Sequence, residues 1–470
     1  MRRSVALALT AIAAVLVALA LGACGGSDDD TSSTGSTGES AATGSATAEA
    51  KSFAGQKVTF WIMNNGPHPV EDTEKILAPF EQETGIDVDV QLVGWDVQFD
   101  RIRNAAVSGE GPDVTQAGTT QVPFFAALGG FEDLSGRVDE IGGESAYAPG
   151  IWGTSQVAGQ EGVWGIPWFT EARTIYYRSD ALEQAGVDPE TAFADLESMR
   201  ATLEALKDVK EIGGKKIMPF GMPGKKAFDL VHNVMPFVWD EGGQELTDDN
   251  TKSAINSPEA VRGVKYIADL FPDGLADPSM LERDGTQVEN QYKGGRLAVW
   301  IGGPWVLSSI DREDDTNWSD AARENTGVAP MPKGPTGEAN TFVGGSNLMM
   351  FKSSDVKDAA WELIKYLSRD DVQTEYAELL GMFPARLKPQ EALGQQSEDL
   401  AAFYEAIQTG RSYAPIPQWG QIENAYKTRF GNILDAAAGL GGEAYSEAVI
   451  QKQLDEAAKE ADALLAQTAG

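Results

Sequence analysis

The chain has 470 residues, 71 acidic against 37 basic, for a formal charge of −34. Its length suffices for two or three domains, and a hydrophobic share of 42% excludes disorder as the overall state. A surface this acidic argues against nucleic acid or an anionic bilayer as the main partner. His68 and His232 are the only histidines and stand far apart with no ligand-spaced neighbours, so neither a metal site nor a cofactor is expected.

Arg2 and Arg3 precede an uncharged Ala/Leu/Val run at 5–21, followed by Leu21-Gly22-Ala23-Cys24. This is an n-region, an h-region and small residues before a cut, so residues 1–23 are read as a signal segment outside the fold. Cys24, the only cysteine, resembles the lipid-acceptor residue of a bacterial lipobox. The resemblance implies a lipid-anchored protein on the extracellular face of the cell membrane. With one cysteine there is no disulfide within the chain. Residues 25–50 contain no apolar side chain larger than Ala, so 24–55 is expected to be a flexible tether.

The first strand is expected at 58–62, followed by a turn with Asn64 and Asn65 at the strand's carboxyl end. A helix with Ile76, Leu77 and Phe80 inward closes at Gly85, and a second strand follows at 88–93. Trp95 and Asp96 precede another helix. A third strand from Asp113 runs into Gly118-Thr119-Thr120-Gln121. Alternating strands and helices predict a mostly parallel sheet, with ligands at the strands' carboxyl ends, where Asn64, Asn65, Thr119, Thr120 and Gln121 fall. Their neutral hydroxyl and amide groups suit a neutral polar ligand.

The stretch IPWFTEARTIYYR at 166–178 sets an indole, a carboxylate and a guanidinium ahead of a buried strand. Alternate strand residues share a face, so Glu171 and Arg173 point the same way, with Trp168 expected to flank them. A stacking plate beside two charged hydrogen-bonding groups is what a polyhydroxylated ligand needs. Helices are expected at 193–210, 228–239 and from Asn256-Ser257-Pro258 onward. At 297–301 a strand leads through Gly302-Gly303-Pro304 into a helix opening at Trp305, where glycine lets the backbone approach a ligand and the indole becomes a rigid plate. The strand at 342–350 carries a glycine kink at Gly345. Arg386 lies in a loop, and Trp419 follows a proline-stiffened loop. Two helices, 421–438 and 444–467, close the chain. Trp168, Trp305 and Trp419 are expected to stack on ligand, with Trp95 and Trp239 as further candidates and Trp61, Trp300 and Trp361 as packing.

Together GEGPDV at 109–114, 165–182, YKGGRLAVWIGGPW at 292–305, 342–367 and GMFPAR at 381–386 resemble the extracellular solute-binding proteins of family 1, the sugar-binding lipoproteins of ABC importers. The resemblance implies a two-lobed α/β fold of the periplasmic-binding-protein type 2 with a hinge between the lobes. By analogy lobe 1 spans 56–166 plus 342–380, and lobe 2 spans 167–341 plus 381–470. It also implies a monomeric binding subunit without catalysis that delivers a neutral sugar to permease subunits. Contacts map onto Asn64, Asn65, 119–121, Glu171, Trp305 and the Trp419 loop; Asn64, Asn65, Thr120 and Gln121 stand where maltose-type members have charges, which disfavours maltose. The competing readings are a tethered glycosidase, which needs a second carboxylate beside Glu171, a membrane-tethered adhesin or scaffold, and a binding protein for a peptide or phosphate ester. ATP hydrolysis is assigned to other chains, since no P-loop motif occurs.

Overall fold

The computed structural model describes residues 53–467. The signal segment, Cys24 and most of the tether lie outside the described residues. Within the stretch read as tether, Phe53 packs against the core, and the Gly55 N–H donates to the Gly85 carbonyl at 2.8 Å. The folded body therefore starts just before residue 56.

Twelve strands are described. In chain order they are β1 (Lys57–Ile62), β2 (Asp87–Leu92), β3 (Val114–Gly118), β4 (Ile166–Ala172), β5 (Thr174–Arg178), β6 (Glu211–Ile212), β7 (Lys215–Lys216), β8 (Met218–Phe220), β9 (Leu297–Gly302), β10 (Thr326–Ala329), β11 (Val343–Met350) and β12 (Phe383–Pro384). Ten of them build two sheets, ordered β12-β4-β11-β3-β1-β2 and β10-β5-β9-β8, with helices packed around both. The α/β class is as expected, but the sheets are mixed rather than mostly parallel. Only β1–β2, β1–β3 and β8–β9 pair in parallel. β11 runs against β3 and β4, β12 against β4, and β5 against β9 and β10. For β11 and β5 the reason is topological: each arrives from the other sheet and enters its own from the opposite end.

The crossing itself is short. β4 belongs to the six-stranded sheet and β5 to the four-stranded one, so the chain changes sheet at Arg173 rather than at 166/167. The second strand run meets it there. Thr341 Oγ1 donates to the Arg173 carbonyl at 2.7 Å, and the Arg173 N–H to the Phe342 carbonyl at 3.3 Å. Likewise β12 joins the six-stranded sheet, and Phe403 and Ile407 of the helix Glu398–Thr409 pack in the core beneath it. Residue 381 is therefore not where the chain leaves the first sheet.

Local chemistry opens several of the helices. Ser257 Oγ accepts from the Ala260 N–H ahead of Pro258–Asp269, and Asp284 with Gln287 forms a capping box that opens Gly285–Lys293. The long helices Trp419–Ala437 and Glu447–Leu465 pack on each other and on Leu230–Asp240 and Pro258–Asp269, closing the second core.

Candidate functional site

A cavity of about 380 Å³ lies between the two sheets, lined from both sides. From the first sheet come Asn64 after β1, Thr119 and Thr120 after β3, Phe169 and Glu171 on β4, and Gly345 on β11. From the other side come Phe228, Asp229 and His232, Thr286, Glu289 and Lys293 of the helix Gly285–Lys293, Trp300 on β9, and Trp305. Among the described residues no group of three His, Cys, Asp or Glu side chains could hold a metal ion.

Strand parity positions the charged pair. Phe169, Glu171 and Arg173 alternate and all reach the cavity, whereas Trp168 points to the opposite face. Trp168 is buried, its ring 4.4 Å from Tyr376 and 5.6 Å from Phe60, so the expected flanking plate is a core residue. Arg173 Nη2 stands 3.3 Å from Glu171 Oε1 and 4.0 Å from Asp229 Oδ2, and its guanidinium lies 4.8 Å over the Trp305 ring. Burial pushes the Glu171 carboxyl up, the Arg173 charge pulls it down, and Asp229 adds a smaller upward push. Glu171 Oε2, Asp229 Oδ1 and Arg173 Nε are buried without a hydrogen-bond partner among the described residues. Buried polar atoms are rarely left so, because each unmade bond costs about 1–3 kcal/mol, and these three, drawn from both sides of the cavity, are three places for a ligand to bond.

Trp305 is held as a plate. Its Nε1–H donates to Glu289 Oε2 at 2.8 Å, while Glu289 Oε1 pairs with Lys293 Nζ at 2.6 Å. Gly303 does not line the cavity. A Cβ there would collide with the Trp305 ring, so this glycine permits the indole to lie back over the chain, and its carbonyl accepts from Tyr176 at 2.7 Å. Gly345 does line it, at φ +135°, where a Cβ would strike the Phe169 carbonyl.

Asn64 Oδ1 accepts from the Trp95 N–H and its Nδ2 donates to Thr286 Oγ1, both at 3.2 Å, so one side chain joins the two walls. Trp95 lines the rim, stacked on Phe228 with centroids 5.5 Å apart. Asp96, in the first turn of the helix Trp95–Ser108, accepts from the Phe228 N–H at 2.9 Å. Thr120 Oγ1 donates to Glu423 Oε2 at 2.9 Å, and Glu423 Oε1 lies 3.3 Å from His232 Nε2.

Several expected residues brace the site from behind. Asn65 donates to Gln116 and Tyr376 inside the first core, and Gln121 accepts from Gln98 at 2.5 Å. Trp239 is buried with its Nε1 on Glu245, and Trp419 is fully buried, stacked 4.3 Å from Tyr413. Arg386 pairs with Asp370 and donates to the Ile141 carbonyl, away from the cavity. Conversely, Trp300, expected as packing, reaches the cavity wall, and the second-lobe set of Phe228, Asp229 and His232 was not singled out. Those three fall just before and within the first turn of Leu230–Asp240, in a run whose apolar character reads as ordinary core.

The chain is 27% identical over 426 residues to the diacetylchitobiose binding protein DasA of Streptomyces coelicolor, covering 89% of this chain and 90% of that one. It superposes with a TM-score of 0.75 on an ABC transporter solute-binding protein of Thermotoga lettingae bound with α-D-tagatose, at 25% identity over 87% of this chain and all of that one. Maltose-bound T. maritima MalE3 gives the same TM-score at 22% identity, over 87% and 99% of the two chains. The family model for bacterial extracellular solute-binding proteins matches residues 65–374, about two thirds of the sequence and nearly all of the segment that supplies the cavity, and the chain belongs to that family.

Proposed function

We propose that the cavity binds a neutral mono- or oligosaccharide and that the protein hands it to the transmembrane subunits of an ABC importer. The observation that carries this reading is the Trp305 plate beside three unpartnered buried polar atoms on Glu171, Arg173 and Asp229. A sugar ring has a C–H face for the indole and hydroxyls that both donate and accept. The tagatose, maltose and diacetylchitobiose that similar proteins are named for are of this class. Asn64, Trp95, Thr119, Thr120, Glu171, Arg173, Trp305 and Gly345 are the contacts we assign from the expected set. Ligand stabilises the closed arrangement of the lobes by as much as it prefers that state, and the closed form is what the permease recognises. The protein acts as a monomer without turnover, held at the outer face of the membrane by lipid on Cys24.

A thermal-shift screen of the purified protein against saccharides, amino acids, peptides and phosphate esters tests this. A ligand at a hundred times its dissociation constant adds about 2.7 kcal/mol of stability. One saccharide class should raise the melting temperature and be recovered intact, and Glu171→Gln or Trp305→Ala should abolish the shift. Cleavage of the sugar, or a response only to peptides or phosphate esters, would replace the reading.

A further inference from the structure

Each of the two cations lining the cavity stands against two carboxylates. Arg173 faces Glu171 at 3.3 Å and Asp229 at 4.0 Å. Lys293, itself buried, faces Glu289 at 2.6 Å and Asp315 at 3.0 Å. The fifth carboxylate, Asp96, meets a backbone N–H. His232 is buried and held neutral, its pKa well below the usual imidazole range through burial and the nearby Arg173 and Lys427 charges. The wall is thus more negative than its cations can offset, and the second pair of carboxylates is engaged with Lys293 and the Trp305 indole.

What remains open to a ligand is the first group. Glu171 Oε2 and Asp229 Oδ1 are free acceptors, and Nε of Arg173, whose Nη2 faces both carboxyls, is a free donor. Asp229 takes only a long 3.4 Å bond from Asn233 on its other oxygen, so no hydrogen bond in the described residues uses its Oδ1.

We propose that Asp229 determines ligand charge: with Glu171 and Arg173 it presents two acceptors and one donor that take sugars offering hydroxyl or ammonium donors and reject sugar acids. A carboxylate on the sugar has only acceptor atoms and would sit against two carboxyls that share one guanidinium. Like charges so placed weaken binding by well over tenfold. An ammonium in the same position is attracted by both. This rests on the saccharide reading above and adds the sign of charge that the site accepts.

The test is a thermal-shift and calorimetric comparison of hexoses, hexosamines and hexuronates of gluco, galacto and manno configuration, as monosaccharides and as disaccharides. Neutral or amino members should bind, and each uronate should bind at least ~10-fold more weakly than its neutral parent. Asp229→Asn, nearly isosteric and able to donate, should narrow the gap to the uronate and weaken any amino sugar about tenfold, with the unliganded melting temperature unchanged. If that variant melts early, Asp229→Ser makes the same comparison in its place. Uronates binding as tightly as their neutral parents would overturn the charge reading and leave the saccharide reading standing. Silence from the whole panel would remove both.

Discussion

Glu423 is a carboxylate in a place that disfavours its charge. It is buried, and burial lifts its pKa from 4.5 to about 7 against the pull of the Thr120 hydroxyl and Lys427. Between those two pH values the folded protein holds more protons than the unfolded chain, so stability falls as pH rises through the window and the full cost is present above 7. At 1.36 kcal/mol per pKa unit that cost is about 3 kcal/mol. Asp240, raised from 3.8 to about 7 by burial, acts with the same sign, whereas neutral His232 loses stability in the opposite sense, as pH drops below 6.5. Glu423→Gln keeps an acceptor for Thr120 and removes the ionisation. Urea midpoints at pH 5, 6, 7 and 8 should therefore decline less steeply in the variant, and an unchanged slope would show that Glu423 does not titrate there.

At the scale of elements, position along the chain misleads where rotation about the axis decides. Trp305 and Trp419 each open a helix, and both were expected to face ligand. Trp305 turns to the cavity because Gly303 lets its ring fold back and Glu289 anchors its nitrogen. Trp419 turns the other way, between Tyr413 and Tyr426. Trp419→Ala should therefore cost about 3–5 kcal/mol of stability, while the folded protein still responds to sugar. Trp305→Ala should do the reverse, with a smaller change in the unliganded melting point and no sugar-induced shift. Equal losses of stability in the two would contradict the placement. The same logic separates Trp168 from Glu171 on β4: Trp168 was expected to flank the pair, but it stands at odd spacing from Glu171 and packs in the core against Tyr376 and Phe60.

For the molecule as a whole, the two walls are tied at several points besides the ligand cavity. Arg312, beyond the helix Trp305–Ile310, reaches Asp72 on the helix Pro69–Thr84 at 2.5 Å and the Leu379 carbonyl at 3.2 Å. Asn64 to Thr286 and Thr120 to Glu423 do the same nearer the ligand. Each contact joins the two sides of the cavity, so in the proposed closing motion these contacts would favour the arrangement in which they are made. Arg312→Ala strands a partly buried Asp72 and should weaken sugar binding about tenfold, equivalent to about 1.4 kcal/mol, with an enlarged radius of gyration in solution scattering of the unliganded protein. Unaltered affinity and radius would remove Arg312 from the closing mechanism.

The sequence alone determined what depends on near neighbours. The alternation of buried strands and amphipathic helices, the helix start at Ser257, the Gly-Gly-Pro turn before Trp305 and the shared face of Glu171 and Arg173 are all consequences of local geometry, and all are found. Strand direction and the second wall of the site were decided only by tertiary structure. β11 runs antiparallel to its neighbours because it returns from the four-stranded sheet, and Asp229 meets Arg173 from 56 positions away through the packing of the helix that follows it. Nothing in the residues flanking Asp229 marks it, because its role comes from a guanidinium supplied by another element.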